Sequence, residues 1–271
     1  MSQNLPEKAV HLSDRALLRI YGPEAKAFLQ NVITNDMDKI EGGILYACLL
    51  TPQGQYLHDF FILAREDYYL LDVEAAGLDD LLRRFTMFKL RAKVNFEKMN
   101  AHYQVYAVGK GEGAADPRLP DLGDRLYITD RIEHALPVEH YFDFCIDLVV
   151  PCGTETISTR DTLADVNLDH LNAVAWDKGC FIGQEVAARM HHRGLAKKRL
   201  FRIDGPELAP GQKLLQNGRE VGEIRQIARS GTRALAQIKL TAATHALLPV
   251  LTEKGHRLVL TPAKYLDAAA G

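Results

Sequence analysis

Cys180 stands in the segment WDKGCFIGQEVAARMHHRG (176–194), between Gly179 and Gly183 and two residues after Lys178. The glycines leave the backbone free to expose its N–H groups, and the spacing predicts a helix over 184–192 ended by Gly194 in the C′ role. Cys180 would then lie just before a helix N-terminus. The Lys178 ammonium and the positive helix end would both favour thiolate, lowering a pKa of about 8.5 towards neutrality. A nucleophile or a soft-metal ligand needs that combination. The same spacing also suits a small apolar residue in a glycine turn, and spacing alone favours this second reading. No histidine or cysteine follows at zinc spacing, so no protein-only metal site is expected. Nothing fixes a base and its orienting partner, as a cysteine protease would require.

Beyond the helix runs a basic stretch: Arg189, Arg193, Lys197, Lys198, Arg199 and Arg202. It could hold an anion or nucleic acid, but aromatic residues are not interleaved as in a stacking platform. A formal net charge of −2 leaves no global footprint for nucleic acid. A solvated connection between domains is the simpler reading. Four cysteines in 271 residues, with no C-x-x-C pair, point to a reducing compartment rather than a disulfide framework. The start MSQNLPEKAVHL lacks both a signal-peptide core and an arginine-rich transit pattern, and ILYACLL (44–50) is too short to span a bilayer. A cytoplasmic protein is expected, or a mitochondrial matrix one if it is a processed eukaryotic form.

The elements that must position these residues follow from periodicity. ALLRIYG (16–22) alternates as a strand, and PEAKAFLQNVI (23–33) starts a helix on proline. Two strands flank the Thr51-Pro52-Gln53-Gly54 turn, a third covers 67–73, and LDDLLRRFTMF (78–88) is an amphipathic helix. Strands are expected over 89–97 and 102–109, a loop over 110–125, a buried strand over 141–151 and mainly helix over 157–174. After Gly194 short alternating strands are separated by turns, with Asn217-Gly218 the strongest hairpin signal. The expectation is an α+β body over 1–194 and a small antiparallel β-barrel over 195–271.

KGCFIGQE resembles the K-G-C-Y-x-G-Q-E signature of the YgfZ-type folate-binding proteins of iron–sulfur cluster maturation. NLDHLNAV before it, EVAARMHHRGLAKKRL after it, and FLQNVITNDM, LLTPQGQYLHDF and FKLRAKV upstream fit the same family in order. That family lies within the superfamily of the glycine-cleavage T-protein, a tetrahydrofolate-dependent aminomethyltransferase. The resemblance implies a body of two intertwined α/β modules around a central folate-sized hole, plus the C-terminal barrel. It matches Cys180 to the family's functional cysteine, Lys178, Gly179, Gly183, Gln184 and Glu185 to its motif neighbours, and Arg189 to the arginine that follows. It also suggests folate contacts at Tyr46 and at Asp165, where many members carry a glutamate suited to the pterin N–H donors. Phe181 departs from the signature, which has tyrosine there.

The implied function is a tetrahydrofolate-binding accessory factor for assembly or repair of 4Fe–4S clusters, with Cys180 as the working thiol. Its partners would be folate and, transiently, 4Fe–4S client enzymes or assembly proteins, with no membrane and no nucleic acid. The alternative is a folate-dependent aminomethyl or methyl transferase.

Overall fold

The computed structural model describes residues 8–40, 43–99, 103–153, 156–194, 196–243 and 249–267. The reading of the first seven residues, and Leu195 at the expected start of the barrel, fall outside them. The chain forms two compact units: 1–141 with 171–186, and 142–170 with 187–271.

The first unit contains β1 (Val10–His11), β2 (Arg15–Tyr21), α1 (Ala25–Val32), β3 (Ile44–Leu50), β4 (Tyr56–Ala64), β5 (Tyr68–Glu74), α2 (Leu78–Lys89), β6 (Asn95–Lys98), β7 (Gln104–Val108), β8 (Ala114–Ala115) and β9 (Asp124–Ile128). They make two antiparallel sheets, ordered β3-β4-β5-β2-β6 and β1-β7-β9-β8. Phe28, Leu29 and Val32 of α1 and Leu78, Leu81 and Phe85 of α2 share one core with alternate residues of the five-stranded sheet, including Leu71 and Val73. Each such large side chain contributes about 1.5–3 kcal/mol on burial. Because successive strand residues point to opposite faces, Asp72, between Leu71 and Val73, must face the other way. All seven residues of β3 are buried, so both faces of that strand are covered. The Thr51–Gly54 turn closes with Gly54 N–H donating to Thr51 O at 2.9 Å.

The second unit carries β10 (Lys198–Asp204), β11 (Lys213–Gln216), β12 (Arg219–Ile227), β13 (Arg233–Lys239), β14 (Leu251–Thr252) and β15 (Val259–Thr261). They form one curled antiparallel sheet ordered β14-β11-β12-β13-β10-β15. The β11–β12 turn is Asn217-Gly218, with φ of +50° and +71°, the left-handed pair that matches strand twist. Leu214, Ile224, Ala236 and Ile203 pack inside this sheet.

Three expectations are corrected. The strand expected over 89–97 is confined to β6, because α2 runs through Lys89 and Ala92 N–H then turns back to Lys89 O at 2.8 Å. The segment 141–151 is not a strand: Glu139–Leu148 is a helix, α3. Tyr141, Phe144 and Cys145 are buried at helical spacing, whereas Asp143 and Asp147 lie on a side that pairs with Arg229 and Arg233. The segment 157–174 is not mainly helical but holds two single 3-10 turns, Ala164–Val166 and Leu168–His170. Ser158 N–H donates to Asp161 Oδ2 at 2.8 Å and Thr162 N–H to Asp165 Oδ2 at 2.9 Å, side-chain bonds that compete with a helix ladder. Asn167 and Asn172 then take left-handed φ values of +63° and +54°, which end each turn. The expected helix over 184–192 is present as α4 (Gln184–His192).

Candidate functional site

The cysteine segment is clasped by the loop that follows α1. Thr34 Oγ1 donates to Ala173 O at 2.6 Å, and Asn35 Nδ2 donates to both Asn172 O (2.8 Å) and Tyr46 O (2.7 Å). Lys178 is 6% exposed, and its Nζ donates to Ile33 O and Asn35 O, each at 2.7 Å. Burial lowers its pKa to about 8, against the smaller raising influence of Asp36. The ammonium thus anchors two carbonyls of the first unit; the expected field on the thiol has its source turned into the protein. Phe181 is also buried, with the Lys178 Nζ 5.5 Å from its ring centroid. Packing of this kind needs a ring and no hydroxyl, which accommodates phenylalanine in place of the signature tyrosine.

Between these two buried side chains, Gly179 and Cys180 are exposed. Of the four cysteines, none of them in a disulfide, Cys48 and Cys145 are buried, Cys152 is half-buried, and Cys180 alone is exposed. Gln184 opens α4 by donating its side-chain N–H to Lys178 O at 3.2 Å, while Glu185 and Arg189 lie exposed along the helix. Gly183 has φ +82°, and a Cβ there would stand 2.5 Å from Thr51 O. Gly183→Ala is therefore expected to cost roughly 1–3 kcal/mol, through strain and a backbone clash. A urea midpoint lowered by less than a few tenths of a molar would refute that packing.

Tyr46 and Asp165 belong to different units. The expected ligand contact at Tyr46 meets an enclosed side chain, 1% exposed, whose hydroxyl donates to Asp59 Oδ2 at 2.8 Å. Its ring packs on Phe61, with centroids 4.9 Å apart. Asp165 accepts Thr162 N–H and Oγ1–H on Oδ2, and among the described residues nothing donates to Oδ1, which suits one N–H donor of a pterin rather than two. It lines a cavity of about 590 Å³ within the second unit. Among the described residues no group of three or more His, Cys, Asp or Glu could hold a metal ion.

Sequence reasoning missed a buried ionic network on the other face of the five-stranded sheet. Tyr46, Phe61, Asp72 and Leu17 form one cross-strand row. Asp72 accepts from Arg15 Nε (2.6 Å), Arg125 Nη1 (2.5 Å) and Tyr127 Oη (2.9 Å). Arg118 pairs with Asp116 at 2.8 Å and donates to Tyr141 Oη at 2.6 Å, and the Arg125 guanidinium lies 3.6 Å from the Phe61 centroid. The available signal was Asp72 itself, a charge inside the apolar run YYLLDV. Part of the basic stretch is also structural: Arg199 makes two bonds to Asp169 (2.5 and 2.9 Å), and Arg202 pairs with Asp204 at 3.1 Å.

Residues 9–111 match the family described as the GCVT N-terminal domain. The iron–sulfur cluster assembly factor IBA57 homolog, mitochondrial, of Pyricularia oryzae is 28% identical over 93% of this chain and 78% of its own length. The iron–sulfur cluster assembly factor IBA57, mitochondrial, of Mus musculus is 29% identical over 74% of this chain and 67% of its own length. Among solved structures, the glycine cleavage system aminomethyltransferase T of Bartonella henselae superposes with a TM-score of 0.73 over 96% of this chain and 87% of its own, at 14% identity. Residues 9–111 are therefore similar to the GCVT N-terminal domain family, and the chain has the mixed α/β fold seen in an aminomethyltransferase T.

Proposed function

We propose that this protein is a tetrahydrofolate-binding accessory factor of the YgfZ type for assembly or repair of 4Fe–4S clusters, with Cys180 as its working thiol. The observation that carries the reading is the setting of Cys180: the one exposed cysteine, on a loop whose flanking Lys178 and Phe181 are both buried. The similarity to mitochondrial iron–sulfur cluster assembly factors supports the cluster part of the role. A 4Fe–4S cluster takes four ligands. One thiolate therefore completes or strips a cluster whose other ligands belong to a client or carrier, and the contact is transient. The folate part rests on the GCVT-type domain and on Oδ1 of Asp165, which would take an N–H of the pterin ring. Localisation in the cytoplasm, or in the matrix of a mitochondrion, fits both parts.

In cells lacking their own factor, Cys180→Ala is expected to leave 4Fe–4S enzyme activities at the level of the empty vector. Because the side chain is exposed, stability should stay within about 0.5 kcal/mol of wild type. Full restoration of those activities by Cys180→Ala sinks the thiol role. Calorimetric titration with tetrahydrofolate tests the other half, with Asp165→Asn expected to weaken binding about tenfold, the value of one hydrogen bond to a charged acceptor.

A further inference from the structure

The cavity in the second unit is bounded by the loop 158–165 and by strands β10 to β13. Its wall carries both signs of charge, unevenly paired. Arg225 holds Asp161 at 3.3 Å, and Lys213 holds Glu223 at 2.5 Å and Glu220 at 3.4 Å. The Asp165 carboxylate is engaged by Thr162. Arg160, Lys198 and Lys239 also line the cavity, and among the described residues none of the three has a carboxylate in ion-pair contact. Lys239 Nζ donates to the backbone O of Glu220 at 2.9 Å, and Lys198 Nζ reaches Gln237 Oε1 only at 3.4 Å. Arg225 Nε is buried with no acceptor among the described residues.

Gln237 makes this a built arrangement. It is 4% exposed, and its Nε2 donates to Asp161 Oδ1 at 2.9 Å and Asp165 O at 3.3 Å. The amide orientation is thereby fixed, and Oε1 receives Arg225 at 2.9 Å as well as Lys198. Cations held around one concavity repel each other, and less water screens them than on an open surface. A counter-ion inside the cavity relieves that repulsion. The space is about 590 Å³, far above the roughly 30 Å³ share of one water, so it admits a ligand larger than a simple ion.

We propose that this cavity binds a ligand bearing two adjacent negative charges, either a diphosphate or a run of γ-linked carboxylates. Asp165, the carboxylate given above to the pterin, lines the same cavity, so the proposal deepens the folate reading if folate binds here, while the cations it rests on stand without that reading. If folate does bind, an oligoglutamate tail is one source of the carboxylates.

Calorimetry on the full chain at low salt, with inorganic pyrophosphate and with tri-γ-glutamate as separate probes, tests this. At least one is expected to bind at millimolar concentration or tighter, and to weaken as salt screens the cations. The double variant Lys198→Gln/Lys239→Gln is expected to weaken that probe about tenfold or more, and Arg160→Gln, at an exposed position without fold risk, to weaken it several-fold. A preference for pyrophosphate assigns a phosphorylated ligand, and a preference for tri-γ-glutamate assigns an oligocarboxylate. Failure of both probes to bind at millimolar concentration overturns the proposal, as does binding that neither variant changes. Titration with tetrahydrofolate carrying one glutamate, on wild type and on Asp165→Asn, reports on the pterin contact, which neither pterin-free probe tests.

Discussion

Replacing Asp72 by alanine is expected to lower stability by about 3–5 kcal/mol, the cost of leaving buried charges without their partner. Asp72 is fully buried, and burial by itself would raise its pKa; the guanidinium groups of Arg15 and Arg125 overcome this and hold the carboxyl below its usual range. Asp116 is held down in the same way by Arg118 and Arg125 against its own burial. Removing Asp72 leaves Arg15 and Arg125 short of a counter-charge within a space from which they cannot easily reach water. Asp72→Asn keeps the volume but not the charge, and should fall nearly as far if pairing dominates. A lowered urea midpoint at unchanged slope is the readout, and a loss under about 1 kcal/mol would show that the network contributes little. The same carboxylates set the acid limb. Their folded pKa values lie below the unfolded ones, so their contribution is present above about pH 4 and is lost as pH falls through the folded values. Asp72→Ala should flatten that limb. Because Asp72 and Arg125 touch, the double variant Asp72→Ala/Arg125→Met should cost less than the sum of its parts.

That network also shows what a single sequence conceals. Asp72 and its arginines are 57 and 53 residues apart, so no local pattern announces them. Only the sheet register, which puts Asp72 opposite Phe61 and Leu17, brings them together. The Asn217-Gly218 hairpin and the helices α1 and α2 were legible because each depends on neighbours in the chain. The segment 141–151 was not: eleven largely apolar residues suit a buried strand or a helix, and the acids Asp143 and Asp147, four apart, decide for the helix only once Arg229 and Arg233 are placed. Around Cys180 the motif marks a loop whose lysine finds its partners far away in the sequence. Residue spacing put an ammonium beside a thiol, whereas the fold spends it on Ile33 and Asn35. Those two residues lie in FLQNVITNDM, a block that resembled the same family without showing what it touches.

Lys178→Met separates anchoring from thiol activation. The substitution keeps an unbranched chain but leaves Ile33 O and Asn35 O without a donor, at about 1–3 kcal/mol for each buried group. The size of the loss should depend on pH. Burial sets the folded pKa of Lys178 at about 8, below the roughly 10.4 of an unfolded lysine. Between those values the unfolded chain binds more protons, so this residue's contribution to stability rises with pH across that window and is constant below it. The neutral amine still carries two N–H groups, enough for both carbonyls. The stability gap between wild type and Lys178→Met should therefore widen from pH 8 to pH 10 by up to about 3 kcal/mol, and urea midpoints across that range measure it. A constant gap would mean that the ammonium is not disfavoured where it sits. Alkylation of Cys180 completes the argument. If Lys178 acts as an anchor, the variant frees the loop and iodoacetamide reacts at least as fast as with wild type. If it activated the thiolate from a distance, the same variant would slow the reaction about tenfold. The bonds to Ile33 and Asn35 favour the first outcome.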